Sequence, residues 1–395
     1  MKNEIKKNIS YGLLGFCLGL IFLFSSCSLE IPKTINLEMA GLPDEIDFNY
    51  HIKPILSDRC FKCHGPDEKT RKAGLRLDVE TLAFAKLASG NSAFSKGSIY
   101  GSEAAHRIIS TDLDVQMPPP DSNLRLSDRE KAMFLKWIDQ GAKWKEHWSF
   151  TPAKKTKASL LSVKDNKQVI DQFISDKLIE NNLTFEEEAS KETLIRRLRF
   201  DLTGIPPSIS EIDAFLKDTI PGSYERLVER LTDSKAFAER LSLDWLDLSR
   251  YADSHGLHAD GSRTMWPWRD WVIDAFKKNM PYDQFVTWQL AGDLLPNATK
   301  EQKLATAFNR NSPMTAEGGI IDEEWRLNYV FDRTETFSTA FLGLTVACAK
   351  CHDHKFDPIS QKDYYQLSAF FNNVRELGMT GDDGDFGPLL YLPTE

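Results

Sequence analysis

The pentapeptide Cys60-Phe61-Lys62-Cys63-His64 constrains this chain most, and it returns as Cys348-Ala349-Lys350-Cys351-His352. The C-x-x-C-H pattern is the attachment site of c-type haem. Its two thiols add across the haem vinyl groups, and the adjoining histidine reaches the iron as proximal ligand. Two copies predict a protein that handles electrons. Haem c is expected on Cys60 and Cys63, and a second haem on Cys348 and Cys351, with His64 and His352 as the iron ligands.

Other uses of paired cysteines fit the first motif less well. A redox C-x-x-C pair is expected in a βαβ setting, which the sequence does not indicate. A four-cysteine zinc site usually places its two pairs tens of residues apart, whereas these pairs lie at opposite ends of the chain. For the second motif, a metal site built from Cys348, Cys351, His352 or His354 stays open. A structural dithiol or disulfide is a further alternative there.

The N-terminus has the pattern of an export signal. Lys2, Lys6 and Lys7 precede an apolar stretch from Tyr11 to Phe24, and small residues then lead to Cys27. This pattern predicts a lipoprotein signal peptide over residues 1–27, with Cys27 lipidated. The apolar stretch is short for a membrane span, and an uncleaved anchor helix is the alternative. The mature protein is expected to be periplasmic or at the cell surface, anchored to a membrane by lipid.

Charge and periodicity limit the class of protein further. The 395 residues carry a formal net charge of -9, which argues against nucleic-acid binding. Strand-like alternation is scarce, so a mainly α fold is expected. Serines at 127 and 208, each followed by glutamate three residues later, predict helix starts, and glycines at 141 and 204 predict helix ends. The predicted divisions are 28–45 tether, 46–147 first domain, 148–167 linker, 168–375 larger helical domain, and 376–395 tail or start of a missing domain.

A sixth iron ligand for the first haem is expected at Met117. The run Pro118–Pro120 follows it directly, and its restricted backbone would hold the thioether in place. Methionine ligation favours ferrous iron and raises the reduction potential. His106 is the alternative ligand.

Residues 50–145 resemble the planctomycete-type cytochrome c domain. The resemblance depends on His51–Leu56 leading into the first motif, on Gly65-Pro66, Gly74–Asp78 and Met117–Pro119, and on Trp137-Ile138 with Gly141-Ala142. It implies a small, helical, class-I-like cytochrome c fold in which His64 and Met117 are the axial ligands.

Residues 168–375 resemble the helical domain of unknown function that commonly follows this cytochrome domain. The matching segments are Arg197-Leu198, Asp201–Pro207, Arg250–Asp253, Trp266–Val272, Gln289–Pro296 and Cys348–Ser360. Members of that family usually continue into a further large domain. The resemblance therefore implies either a separate polypeptide that supplies this domain or a truncated chain.

The second motif has no Met-Pro run after it, so its distal ligand stays open. The candidates are His255, His258, Met265, Met314 and Met379, and a five-coordinate iron is the alternative.

Other polar clusters receive simpler interpretations. The run Asp253, His255, His258 and Asp260 has metal-ligand chemistry but is favoured as a polar loop. Arg269 and Asp270, placed among tryptophans, are expected to form a buried ion pair. The acidic residues Glu317 and Asp322–Glu324 are expected in a loop and at a helix N-terminus.

Together these features predict an electron-transfer cytochrome that works with redox partner proteins. A haem-containing oxidoreductase acting on an extracellular substrate such as a carbohydrate is one alternative. A surface binding or scaffold protein, in which haem is only structural, is the other.

Overall fold

The computed structural model describes residues 29–153, 166–381 and 384–392. It divides the chain into two compact units: Met1–Ala153 with His352–Pro358, and Lys154–Cys351 with Ile359–Glu395. The described residues are mainly helical and form isolated β-bridges but no strand, as the sequence predicted. Cys27 and the predicted signal peptide lie outside the described residues. No helix within the described ranges is long and apolar enough to cross a membrane.

Short helices and loops make up the first unit. A π-helical turn occurs at Phe48–Ile52, and 3-10 turns occur at Pro120–Ser122 and Trp148–Phe150. The α-helices are α1 (Lys33–Ala40), α2 (Lys53–Arg59), α3 (Phe61–His64), α4 (Glu80–Ala83), α5 (Glu103–Ile109) and α6 (Asp128–Asp139).

Helix α6 organises the core of this unit. Ser127 caps it with a full capping box, because its hydroxyl accepts from the Glu130 amide while the Glu130 carboxylate accepts from Ser127 N–H. This confirms the helix start that the sequence predicted. Trp137 on α6 is 1 % exposed, and its indole N–H donates to the Lys143 carbonyl at 3.1 Å. Phe48 packs beside Trp137, so aromatic rings fill the centre of the core.

The prediction of a tether over residues 28–45 is wrong for the described part, 29–45. Residues 33–40 form α1, which packs against α6, and Ile35 is 1 % exposed within the core. Pro32 stands immediately before the first helical turn. Proline is well tolerated there because the first amides of a helix have no intrahelical acceptor.

The segment His352–Pro358 also belongs to the first unit. The Asp357 carboxylate accepts a hydrogen bond from His147 Nε2 at 2.9 Å. Because Ser149 N–H donates to the other ring nitrogen, His147 is assigned as the neutral tautomer that carries its proton on Nε2. Burial and the nearby Lys53 both hold the pKa of His147 below its usual value, which agrees with this neutral form.

Longer helices build the second unit. They are α7 (Asn166–Glu180), α8 (Lys191–Thr203), α9 (Ile209–Lys217), α10 (Ser223–Thr232), α11 (Lys235–Leu248), α12 (Trp266–Lys277), α13 (Tyr282–Ala291), α14 (Lys300–Ala305), α15 (Asp322–Phe337) and α16 (Gln361–Ser368). Turns of 3-10 helix occur at Gly292–Leu294, Thr306–Arg310 and Ala347–Lys350, and a π-helical turn occurs at Ser338–Leu342. Gly204 ends α8 in the left-handed conformation, and Ser208 caps α9, both as predicted.

Aromatic residues dominate the main core of the second unit. Trp245 on α11 donates its indole N–H to Gln289 Oε1 at 3.0 Å, and Gln289 is fully buried. Trp268 on α12 is also fully buried and donates to the Ala305 carbonyl at 3.1 Å. Each indole therefore supplies apolar contact area while its polar atom keeps a partner. Helices α11, α12, α13 and α14 are joined through these contacts.

Two arginines share one carboxylate in the second unit. Arg310 and Arg333 both hydrogen bond Glu376, whose side chain is 3 % exposed. Burial lowers the pKa of Arg310, and the like charge of Arg333 lowers it further, while Glu376 opposes both effects. Arg310 also donates to the carbonyls of Phe386 and Gly387. The described part of 376–395, predicted as a tail or a new domain, is thus attached to the second unit.

Candidate haem sites

The first C-x-x-C-H motif lies at the junction of α2 and α3. The amides of Cys63 and His64 both donate to the Cys60 carbonyl, at 3.1 and 2.9 Å. The two cysteines and the histidine therefore lie on one helical turn, as the spacing predicted. Phe61, inside the motif, is 5 % exposed and packs in the core of the first unit. This anchor fixes the turn, and the two thiols and the imidazole project from it.

The His64 ring has the environment of an iron ligand. Its Nδ1 is buried and unpaired among the described residues, and the backbone of Lys72 and Leu75 lies beside the ring. Ligating histidines usually direct their second ring nitrogen to a carbonyl. Burial lowers the pKa of His64 and so favours the neutral imidazole, the form that binds metal. The residues present therefore fit a haem at this position.

The loop after His64 is held by several hydrogen bonds. Lys72 N–H donates to the Cys63 carbonyl, and Leu77 N–H donates to the His64 carbonyl, both at 2.8 Å. The Arg71 guanidinium donates to the Gly65 carbonyl at 3.3 Å and to the Pro66 carbonyl at 2.7 Å. These contacts fix the backbone that faces the His64 ring.

Ionisation of the Cys60 thiol is strongly disfavoured. Burial raises its pKa to about 12, and the nearby Cys63 and Glu130 add to the effect. A thioether is neutral and cannot ionise, so attachment of haem suits this apolar position better than a free thiolate would.

The loop that carries Met117 lies beside the first motif. Lys62, inside the motif, donates to the Ser122 carbonyl at 3.4 Å, a contact across sixty residues. Met117 N–H donates to the Arg107 carbonyl at 3.0 Å, and the Arg107 charge is close enough to contribute to the lowered pKa of His64. The alternative ligand His106 bonds the Tyr100 carbonyl through Nε2 at 2.7 Å. Of the two candidates for the sixth iron ligand, His106 already uses a ring nitrogen in a hydrogen bond, whereas the Met117 side chain does not.

The second motif forms a 3-10 turn, Ala347–Lys350, with both thiols exposed. Ala349 is fully buried under this turn. The Lys350 carbonyl accepts from Gln361 Nε2 and from the Tyr365 hydroxyl, each at 3.1 Å. His352 Nδ1 hydrogen bonds the Asp353 carbonyl at 2.8 Å, which leaves Nε2 as its ligating atom. The turn is therefore rigidly supported and presents both thiols to solvent.

The other residues considered as distal ligands for the second haem differ in burial and in hydrogen bonding. His255 is 1 % exposed, and its Nε2 bonds the Gly384 carbonyl at 2.9 Å. Met265 and Met314 are buried in the second unit, whereas His258 and Met379 are exposed. The Asp253–Asp260 run forms a loop, as favoured from the sequence. Within the described ranges, no three His, Cys, Asp or Glu residues form a group that could hold a metal ion.

The prediction of a buried Arg269–Asp270 ion pair is wrong. The pair exists at 2.8 Å, but the two side chains are 38 % and 50 % exposed. Trp268 and Trp271 occupy the buried face of α12, so the residues between them turn outward. The acidic residues Asp322–Glu324 do lie in the first turn of α15, as predicted. The Asp322 carboxylate accepts from the amides of Gly378 and Met379.

Sequence reasoning missed the residues that position the sites. Lys62, Arg71 and Tyr365 act through contacts with backbone carbonyls, which leave no pattern in a single sequence. In the sequence, Lys62 is one of the two variable residues between the cysteines of the motif, and nothing there indicates its contact. Glu376 was missed because its two arginine partners lie 43 and 66 residues earlier in the chain.

The first unit has the helical fold and the attachment motif of a cytochrome c domain. Residues 60–121 match the model of the Planctomycete cytochrome C family, PSCyt1. Residues 169–376 match PSCyt2, a family described as a protein of unknown function (DUF1549). The second match covers more than half of the chain, which therefore belongs to the DUF1549 family and carries a planctomycete cytochrome c domain ahead of it. A search of the curated proteins found no match, and a search of the solved structures found none either.

Proposed function

We propose that this protein is an exported, membrane-anchored c-type cytochrome that transfers electrons through one or two covalently bound haems. The observation that carries the proposal is the position of the His64 ring, which is half-buried, lies beside the backbone of Lys72 and Leu75, and stands on the turn that bears Cys60 and Cys63. The family match to a cytochrome c domain supports the same class of cofactor.

The residues of the first unit have distinct roles in this proposal. Haem, when bound, supplies reversible one-electron chemistry at its iron. Cys60 and Cys63 fix the position of the macrocycle, and His64 provides the proximal ligand. Met117, in the loop held beside the motif by Lys62, provides the distal ligand and raises the potential. The apolar core around Phe61 keeps water from the proximal side.

A second haem is proposed on Cys348 and Cys351, with His352 as proximal ligand. Two features support it: the rigid turn held by Gln361 and Tyr365, and the His352 ring with only Nδ1 bonded to backbone. Two haems in one chain would make the protein a relay between redox partner proteins.

Location and partners form a separate part of the proposal. Lipidation at Cys27 would hold the chain at a membrane outside the cytoplasm, in the periplasm or at the cell surface. Its partners would be redox proteins. The net charge of -9 argues against nucleic acid as a partner.

The test is a count of covalent haems. Residues 28–395 are produced in a host with c-type haem maturation, and intact mass is combined with a pyridine haemochrome spectrum. The expected result is two haems, with Cys60→Ala and Cys348→Ala each losing one. One haem that survives Cys348→Ala would remove the second site. No covalent haem would refute the electron-carrier function.

A haem-containing oxidoreductase that acts on an extracellular substrate is the second candidate. The observation that favours it is a cavity in the second unit with aromatic and charged lining.

A further inference from the structure

The second unit contains a cavity of ≈ 380 Å³. The residues that line it are distant in sequence from the second C-x-x-C-H motif. Its walls come from the start of α12, from the helical stretch that ends at Arg310, and from residues Asp385–Leu392. A cavity of this size is in the range of small-molecule sites. Neither the haem chemistry nor the family match assigns it a ligand.

Aromatic side chains are accessible in this cavity on a rigid support. Trp266, in the first turn of α12, is 51 % exposed, while Trp268 is fully buried. Because the Trp268 indole N–H is bonded to the Ala305 carbonyl, the start of the helix is fixed. Tyr391 lines another part of the wall and is 81 % exposed. Trp266 therefore offers an exposed indole on a helical turn whose backbone position is fixed.

Charged side chains of both signs lie in the same wall. One oxygen of the Asp385 carboxylate accepts from Thr264 N–H at 2.6 Å, which fixes the group and leaves its second oxygen for a ligand. The Arg263 guanidinium is held by the carbonyls of Arg310, Asn311 and Ser312. Arg310 is held by Glu376 and by the Phe386 and Gly387 carbonyls. These groups are already oriented without a ligand.

The mixed lining selects a class of ligand. An anion would meet the Asp385 carboxylate, and a cation would meet two guanidinium groups. A wholly apolar ligand would cover the Asp385 carboxylate without replacing its hydrogen bonds to water. A saccharide has no charge, presents C–H faces that stack on indole, and carries hydroxyls that both donate and accept. We propose that this cavity binds a neutral saccharide, with Trp266 as the stacking platform and Asp385 as the hydroxyl acceptor.

The proposal is independent of how many haems the protein carries. It is tested on the full haem-loaded chain by calorimetric titration with maltose, cellobiose and lactose. At least one disaccharide is expected to bind. Trp266→Ala should weaken that binding about tenfold, since a stacked aromatic contact contributes up to ~1.5 kcal/mol. Asp385→Asn should weaken it several-fold, although its amide oxygen can still accept from Thr264 N–H.

A matched control separates this cavity from surface adhesion. Trp148 in the first unit is 66 % exposed, and Trp148→Ala should leave sugar binding unchanged. Circular dichroism checks that Trp266→Ala keeps its helix content. Absence of binding to all three sugars overturns the proposal, as does equal binding by wild type and Trp266→Ala. Tighter binding of benzoate than of every sugar overturns it too. A redox titration of the same samples reports the cytochrome function separately.

Discussion

Glu376 is the residue whose removal gives the sharpest test of the second unit. Glu376→Gln takes away the one carboxylate that Arg310 and Arg333 share, while keeping the size of the side chain. Arg310 lies 2.8 Å from this carboxylate, and Glu376 and Arg333 side chains are each 3 % exposed, so water cannot replace the lost charge. Two like charges would remain together in the interior.

The expected cost follows from this burial. Removing one partner of a buried ion pair costs about 3–5 kcal/mol, because the remaining charge stays desolvated. The matched control is Glu323→Gln on α15, where the Arg326–Glu323 pair has a carboxylate that is 63 % exposed. Exposed pairs contribute about 0–1 kcal/mol. The two variants therefore make the same chemical change in opposite environments.

Native-state hydrogen exchange of peptides from α15 reports the result within the second unit. A loss of about 3 kcal/mol in Glu376→Gln should speed exchange by about a hundredfold or more, while Glu323→Gln should change it only a few-fold. Similar exchange in the two variants would refute the reasoning, since it would mean that Arg310 and Arg333 do not depend on this carboxylate.

Three further predictions concern individual residues. Met117→Ala should lower the reduction potential of the first haem in a redox titration, whereas Met133→Ala, a core methionine, should not; equal potentials would remove Met117 as a ligand. Leu135→Ala should lower the free energy of unfolding by about 2–5 kcal/mol in a urea titration of the first unit, against less than ~0.5 kcal/mol for the exposed Leu37→Ala. At the α9 cap, the Ser208 N–H donates to the Glu211 carboxylate and lowers the pKa of Glu211 below its ordinary value of 4.5. The ionised carboxylate therefore stabilises the fold above pH 4.5, and this stabilisation is lost as the pH falls through the pKa of the folded protein. Glu211→Gln should therefore be less stable than wild type at pH 7, and unfolding midpoints that stay apart at pH 2 would contradict this.

Local features of the fold were predictable from the sequence. The caps at Ser127 and Ser208 are correct because a capping box involves only residues three positions apart. The helical turn of the first motif is correct for the same reason. Helix α1 was missed because its apolar pattern is short, and only its packing against α6 stabilises it.

Features that depend on contacts between distant residues were not predictable. The burial of Arg269 and Asp270 was misjudged because the neighbouring tryptophans suggest a buried segment, while the helix periodicity turns the pair outward. The carboxylate at Glu376 has no local signal, since its partners come from other helices. The position of the Met117 loop beside the first motif likewise involves a contact between distant residues, from Lys62 to Ser122.

The difference in exposure between the two C-x-x-C-H turns has a consequence for the biogenesis of this protein. Cys60 and Cys63 are partly buried, and the pKa of Cys60 is raised to about 12, so the folded apoprotein would offer a poor thiol to the attachment machinery. We expect the first haem to be added while this part of the chain is still unfolded. Cys348 and Cys351 stay exposed on a preformed turn. Attachment of the proposed second haem could therefore follow folding, and until then the exposed vicinal thiols would be open to oxidation in an oxidising compartment.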